Sequence, residues 1–385
     1  MKLLHLSDIH LGKSVNEFSM IEDQRFILQQ IIGLMKEREV DALLIAGDVY
    51  DKSAPSAEAV TLLDWFLNEV AATETPCFLT PGNHDSAERV AYAARLLEAR
   101  NIYIAPVYDG ALRSVTLQDQ HGPVTFWLMP FLKPSHVRAF QPDADFGSDY
   151  TLACRAALDA CEIDQAQRNV ILSHQFVTAA GCDTERTESE LSLGGMDNVD
   201  YRAYDAFDYV ALGHVHRPQR VGRDTVRYSG SPLKYSFSEV RGEKSVPLVT
   251  LGAKGQVDVE LVPLKPLHDL REIRGPLAGL LAKDVVDALS AQEKEDYLRV
   301  ILTDEHPIMD ALTQVRAVYP NVMALEYDNV RSRTQRSLDD ELAVDVQAKD
   351  PAQLFREFYE TMNGAPLSET QDNAVRAALA ETEAN

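Results

Sequence analysis

Apolar residues in the first 220 positions gather into short, near-continuous runs, and each run stops abruptly at polar residues. The runs are LLHLSDIH from Leu3, ALLIAGDVYD from Ala42, CFLTPGNHD from Cys77, NVILSHQ from Asn169 and YVALGHVH from Tyr209. Runs apolar at every position, rather than at alternate ones, mark strands buried on both faces of a sheet. Between them, residues 23–38, 56–72 and 86–100 read as helices, so the pattern predicts an α/β sandwich. The later runs VTFWLMP and DTVRYSGSP are set off by loops and read as an added antiparallel part.

The pattern changes after Pro266. Residues 270–273, 297–302 and 322–327 read as strands, with helices near 276–289 and 307–318, which predicts a small α/β domain. A charged linker, RSRTQRSLDDE, follows. Beyond it Leu354, Phe355, Phe358, Tyr359 and Met362 recur at helical spacing, and after an Asn-Gly stop a second helix has Ser368 as its N-cap. Two short helices cannot bury that stripe by themselves, so it packs on the body or docks on a partner. The 385 residues exceed what one core usually serves, in keeping with more than one domain.

Composition narrows the class. With 45% hydrophobic and 25% charged residues the chain is globular, and no stretch approaches the roughly 20 apolar residues of a membrane span. His5, Ser7, Asp8 and His10 interrupt the N-terminal apolar residues too early for a signal peptide, so a cytoplasmic location is expected. Cys77, Cys154, Cys161 and Cys182 show no CxxC spacing and read as ordinary thiols. The net charge of -23 argues against nucleic acid until its distribution is considered. Seven Lys or Arg against three acids lie between His214 and Lys244, whereas eleven acids against three basic residues follow Ser337. Arg217, Arg220 and Lys234 in that basic run are therefore candidates for phosphate contact, with Lys13 and Lys133 joining them.

The strand ends carry Asp8 and His10, Asp48, Asn83 and His84, His174, then His214 and His216. Residues i and i+2 of a strand point the same way, so Asp8 with His10 and His214 with His216 each present two ligands to one point. Ligands of open α/β sheets gather at the carboxyl ends of strands, where all of these residues sit. Any one of them alone fits a cap, a turn or a buried histidine. Five strand ends of this kind, in chain order, point to a metal centre. Histidine and carboxylate without cysteine suit manganese, iron or zinc in a catalytic site. A carboxylate has two oxygens, so Asp48 can bridge two ions. The expected sets are Asp8, His10, Asp48 and His216 on one ion and Asp48, Asn83, His174 and His214 on the other. Two ions activate water and clamp a phosphoryl group, and with two aspartates and one hydroxide they leave the site at about +1. His84 points elsewhere than Asn83 and reads as a proton donor to a leaving oxygen, with Asp51 orienting it or accepting a proton.

The motifs DIH, GDVYD, GNHD, SH and GHVH resemble the calcineurin-like metallophosphoesterase superfamily. LLHLSDIHLGK, ALLIAGDVYDKSAPS, YSGSPLKYSFSE and LFREFYETMNG resemble, within it, the SbcD family of bacterial break-repair nuclease subunits, over essentially the whole chain. The resemblance implies a sandwich of two mixed sheets flanked by helices, a small α/β capping domain and a C-terminal helical segment that binds a partner. The corresponding boundaries are 1–265, 266–335 and 336–385. It implies two manganese ions on Asp8, His10, Asp48, Asn83, His174, His214 and His216, with His84 as the catalytic histidine. At position 51 the bacterial members carry aspartate where archaeal ones carry histidine. It further implies 3'-to-5' double-strand exonuclease and single-strand or hairpin endonuclease action on DNA in repair, recombination and replication. The partners would be the ATPase SbcC, docked through Leu354, Phe355, Phe358 and Tyr359, and a second copy of the chain, making a homodimer within a heterotetramer. A small-molecule phosphodiesterase with the same metal core is the competing enzyme reading, and a non-catalytic scaffold for DNA ends is the reading from another class. Protein phosphatases of the superfamily typically carry GNHE and an arginine soon after GD, and this chain has GNHD and GDVYDKS.

Overall fold

The computed structural model describes residues 1–179 and 197–329, with 355–356, 359–360, 366–368, 370–372 and 375. The chain divides into two compact units. The first comprises Met1–Glu272, Ala288–Arg299 and Val318–Ala324; the second comprises Ile273–Asp287, Val300–Ala317 and the described residues from Leu325 on.

Two six-stranded sheets build the first unit. One runs in the order Val257–Pro263, Ser245–Leu251, Lys2–Leu6, Ala42–Ala46, Cys77–Thr80, Ile102–Ile104. The other runs Gln219–Val221, Arg223–Tyr228, Tyr209–Leu212, Arg168–Ser173, Gly122–Met129, Arg113–Asp119. Alternate residues of each strand serve different cores, as the two-residue strand period requires. Leu4, Leu6, Leu43, Ile45 and Leu79 pack with helices α1 (Ile21–Glu37) and α2 (Ala57–Ala72). Leu3, Leu44 and Phe78 pack instead with Phe126, Val170 and Ala211 of the other sheet. Phe78 and Phe126 stack at 4.3 Å between ring centroids. The outer face of the second sheet packs with the helix Tyr150–Asp159. Both faces of the central strands are thus covered, which is why these strands lack polar alternation, whereas the edge strands Arg113–Asp119 and Val257–Pro263 alternate with exposed residues.

Parallel pairing brings the first sheet's motif-bearing ends to one edge, because Lys2–Leu6, Ala42–Ala46 and Cys77–Thr80 all run the same way. Arg168–Ser173 and Tyr209–Leu212 are likewise parallel to each other. The later runs differ from expectation. Gly122–Met129 is parallel to Arg168–Ser173, and Arg223–Tyr228 is parallel to Tyr209–Leu212, so both belong to the second sheet's parallel centre. Only their edge partners, Arg113–Asp119 and Gln219–Val221, are antiparallel. The helix expected over 86–100 is broken into Ala87–Val90, Ala94–Leu97 and a 3-10 turn, Glu98–Arg100, with Ala93 in the left-handed region at φ 58°.

The strands Leu270–Gly275, Tyr297–Leu302 and Val322–Tyr327 form a separate sheet in that order, and the division between units falls within them. In the second unit the expected helix over 276–289 is two short ones, Leu277–Leu280 and Lys283–Asp287, and the next spans Ala311–Arg316. Near the C-terminus Ser368 Oγ accepts from the Gln371 N–H at 3.4 Å, and Arg356 pairs with Asp372 at 2.5 Å. Phe355 is 42% exposed and Tyr359 half-buried; Leu354 and Phe358, like Cys182 and the linker, lie outside the described residues. Cys77 and Cys154 are buried and Cys161 half-buried, all free. No helix among the described residues is long and apolar enough to cross a membrane.

Candidate metal centre

The strand-end residues converge in the first unit. Asp8, His10 and His216 offer ligand atoms within 4.8 Å of one another, as do Asp8, Asp48 and His174, and His10, Asp48 and His84. Asp8, His10, Asp48 and His174 are buried to 2% exposure or less, and His216 to 3%. His10 Nε2 stands 3.1 Å from His216 Nε2. Asp48 Oδ2 stands 3.2 Å from His174 Nε2 and 3.6 Å from His10 Nε2, so one oxygen faces a ring from each expected set. Asn83 Oδ1 lies 3.1 Å from His174 Nε2 and 3.0 Å from His214 Nδ1.

The donor set fits divalent cations on chemical grounds. His174 Nδ1 is 2.8 Å from the Ala46 carbonyl and donates to it, which leaves the Nε2 lone pair of a neutral ring facing Asn83 Oδ1, Asp48 Oδ2 and, at 3.9 Å, Asp8 Oδ1. A nitrogen lone pair among three oxygens repels them unless a cation lies between. The chain alone meets this demand with a proton. Burial would lower the His174 pKa, but Asp48 and then Asp8 raise it to about 9. A divalent ion would take the proton's place. Burial pushes the Asp8 carboxyl up, whereas at Asp48 the histidines outweigh burial and hold the carboxyl well below its usual range. Burial also holds His10 far below the ordinary imidazole value, in the neutral form that ligates metal.

The backbone is bent to deliver these groups. Asp8, His10, Asp48 and His214 all have positive φ, between 48° and 99°, where a non-glycine residue costs about 1–2 kcal/mol. Asp8 repays part of this by accepting the His214 N–H at 3.0 Å, and Asp48 Oδ1 by accepting the His84 N–H at 2.8 Å. The two sheets also come together here. A Cβ at Gly213 would lie 1.8 Å from the Ala46 carbonyl oxygen, and one at Gly47 would lie 2.1 Å from His174 Nδ1. Only glycine permits this approach.

His84 is half-buried beside the centre, edge-on to His10 at 4.8 Å. Its Nδ1 lies 2.9 Å from the backbone carbonyl of Asp51 and donates to it. Asp51 therefore orients His84 through its main chain; its carboxylate pairs with Lys13 at 2.8 Å and stands 3.7 Å from His10 Nδ1.

Several supporting residues carried no signal strong enough to single them out in sequence. Asp85 accepts N–H bonds from Gly82, Val49 and Tyr50 at 2.9 to 3.0 Å, tying the GNHD loop to the GDVYD loop. Gln24 and Tyr235 hold the carbonyl of Ile9, and Gln24 that of His10. Glu239, buried, lies 3.7 Å from His216 Nδ1, accepts the Tyr235 N–H at 3.2 Å, and pairs with buried Lys244 at 2.5 Å. Lys244 also donates to the His216 carbonyl at 2.8 Å. Glu239→Gln is expected to weaken metal uptake by about 10- to 100-fold, since it removes the carboxylate behind a candidate ligand histidine, His216; calorimetric metal titration checks this.

The basic run is thus partly structural. Lys244 is buried, Lys234 pairs with Asp269 at 2.9 Å and caps the Val240 carbonyl, and Arg223 donates to the carbonyls of Tyr204 and Phe207. Arg217 and Arg220 stay at the surface, Arg220 with Asp224 as its partner. Lys133 is exposed near the loop that bears Asn83, both lining a groove of about 600 Å3.

The chain is similar to known proteins along most of its length. Residues 1–218 match the calcineurin-like phosphoesterase family, and residues 266–363 match the domain described as the type 5 capsule protein repressor C-terminal domain. The SbcD subunit of the SbcCD nuclease of Staphylococcus epidermidis is 30% identical over 385 residues, 98% of each chain. Among solved structures, a dimetal phosphatase from Danio rerio is 12% identical with a TM-score of 0.41, over 69% of this chain and 98% of its own. The protein TT1561 of Thermus thermophilus is 14% identical with a TM-score of 0.40, over 68% and 98%.

Proposed function

Because the chain belongs to the calcineurin-like phosphoesterases and, among them, to the SbcD nuclease subunits, we propose that it cleaves DNA as the nuclease half of a complex with an SbcC-type ATPase. Phosphodiester hydrolysis is the activity of the family. The finer reading is a 3'-to-5' exonuclease on duplex ends and an endonuclease on single strands and hairpins, at work in repair, recombination and replication in the cytoplasm. The observation that carries it is the meeting of His10, His216, Asp48 and His174 at 3.1 to 3.6 Å, around Asp8 and Asn83.

Asp8, His10, Asp48 and His216 would hold one ion and Asp48, Asn83, His174 and His214 the other, with Mn2+ as the favoured pair. When bound, such ions supply Lewis-acid stabilisation of phosphoryl charge and make water a competent nucleophile at neutral pH. The chain's own residues do the rest. Asp8 and Asp48, almost wholly buried, keep the ligand cage anionic and dry. With Nδ1 donating to the Asp51 carbonyl, a protonated His84 has only Nε2–H left, and this delivers a proton to the departing oxygen. Arg217 and Arg220 at the surface are the favoured phosphate contacts; Arg220 pairs with Asp224, Lys13 with Asp51 and Lys234 with Asp269, so a phosphate at any of these three shares its cation with a carboxylate.

Residues 1–265 serve as the nuclease domain, 266–335 as the cap that selects ends, and 336–385 as the segment that docks on SbcC through Leu354, Phe355, Phe358 and Tyr359. A second copy would pair across the groove of about 950 Å3 that α2 borders. Leu63, Leu67 and Leu97 line it, and Val60 and Tyr92 stand 46% and 81% exposed. An apolar surface of that kind favours a homodimer, which with SbcC makes a heterotetramer.

The test is cleavage of end-labelled linear duplex by the purified chain in Mn2+, in Mg2+ and in chelator, with and without the ATPase. Manganese-dependent shortening is expected. Turnover of bis-p-nitrophenyl phosphate with no DNA cleavage under any of these conditions would overturn the nuclease reading and leave a small-molecule diesterase.

A further inference from the structure

Behind the turn that bears His10, two consecutive buried residues of α1 reach in different directions. Asp23 and Gln24 lie in its N-terminal turns and both are 0% exposed. Gln24 brackets the turn: its Nε2 donates to the His10 carbonyl at 2.7 Å and the Ile9 carbonyl at 3.2 Å, and its Oε1 accepts the Gly12 N–H at 3.0 Å. Asp23 holds the chain that follows Val257–Pro263, the edge strand of the first sheet. Its Oδ1 accepts the His268 N–H at 3.0 Å and lies 3.1 Å from the His268 ring, and its Oδ2 accepts the Tyr297 hydroxyl at 2.8 Å. His268 and Tyr297 both fall within the 266–363 match, and all of these residues belong to the first unit.

Physical chemistry makes each contact hard to give up. A buried carboxylate or carboxamide that loses a partner is left with an unsatisfied polar group, at a cost of about 1–3 kcal/mol. The His10 turn itself depends on outside support, since Asp8 and His10 are held at φ 52° and 48°. Gln24 and Tyr235 are the side chains on its carbonyls. Adjacent residues on one helical turn cannot move independently, so a shift at Asp23 is a shift at Gln24.

We propose that the Asp23–Gln24 step couples the His268–Tyr297 segment to the metal-ligand turn, so that the seating of that segment on Asp23 sets how tightly His10 holds its ion. Gln24 is a positioning residue in this scheme, and Asp23 passes to it the state of a segment that reaches no ligand directly. The proposal rests on His10 being a metal ligand.

The experiment is Mn2+ titration of the metal-stripped full chain by calorimetry, with thermal unfolding of the apo form alongside, for wild type, Gln24→Met, Tyr297→Phe and the double variant. Gln24→Met keeps the side-chain volume and is expected to weaken one of the two sites, that of His10, about 10- to 100-fold. Tyr297→Phe removes one hydroxyl and is expected to weaken it about two- to thirtyfold. In the Gln24→Met background Tyr297→Phe should add no further loss, the non-additivity that marks a shared route. A Tyr297→Phe chain that is less stable yet binds Mn2+ like wild type would overturn the coupling, as would losses that simply add. Wild type that takes up no Mn2+ would instead sink the metal reading, and this proposal with it.

Discussion

His84→Ala is expected to lower DNA cleavage by about two to four orders of magnitude while the chain keeps its metal. The ring is fixed at Nδ1 by the Asp51 carbonyl and packs edge-on against His10, yet its backbone N–H already satisfies Asp48 Oδ1. Truncating the ring therefore removes a proton donor and leaves Asp48 with its partner. A second readout separates the donor from a ligand. A deoxyribose oxygen must be protonated as it departs, whereas p-nitrophenolate leaves without that help, so the loss on DNA should exceed the loss on bis-p-nitrophenyl phosphate. Equal losses on both substrates, matched by loss of bound Mn2+ in elemental analysis, would place His84 among the ligands instead, since it lies within 4.8 Å of His10 and Asp48 ligand atoms.

The convergence of the candidate residues was legible in sequence because its signal is local. An apolar run fixes a strand and parallel order fixes which ends meet. The two-residue period did not carry over, because Asp8, His10, His214 and His216 lie beyond the strands Lys2–Leu6 and Tyr209–Leu212, with Asp8, His10 and His214 at positive φ. His214 turns to Asn83 while His216 turns to His10. Inference from runs and strand order needed no long-range contact. The groups that hold the ligands in place did need them. Tyr235 meets the Ile9 carbonyl across 226 positions and Gln24 the Tyr235 hydroxyl across 211; Gln24 sits in none of the motifs, and Tyr235 falls within YSGSPLKYSFSE, which points to no partner for it. Charge counting misled for a related reason. Lys234 and Lys244 look like part of a basic surface in one dimension, but each folds against a carboxylate, Asp269 and Glu239, and Lys244 ends up supporting His216 rather than facing solvent. The second sheet's pairing was misread because runs set off by loops suggest hairpins. The Gly122–Met129 strand instead meets Arg168–Ser173 in parallel after the helix Tyr150–Asp159 has carried the chain back.

Gly47→Ala is expected to destabilise the metal-free chain by about 2–5 kcal/mol and to weaken metal binding at His174. Two costs combine. Gly47 sits at φ 86°, where an L side chain costs about 1–2 kcal/mol, and overpacking a filled interior adds about 1–3 kcal/mol. The added methyl would lie 2.1, 2.4 and 2.7 Å from Nδ1, Cγ and Cβ of His174, far inside contact distance. The ring must then move, and moving it breaks the Nδ1–H bond to the Ala46 carbonyl that aims Nε2 at Asp48 and Asn83. Gly33→Ala is the control: it lies within α1, its new methyl would meet nothing within 4 Å, and alanine favours the helix by about 0.5–1 kcal/mol. Denaturant unfolding of the apo chain and Mn2+ titration measure the pair. Wild-type stability and metal affinity in the Gly47→Ala chain would mean that His174 does not stand against the GDVYD turn, and with that the joining of the two sheets at one metal centre would fail.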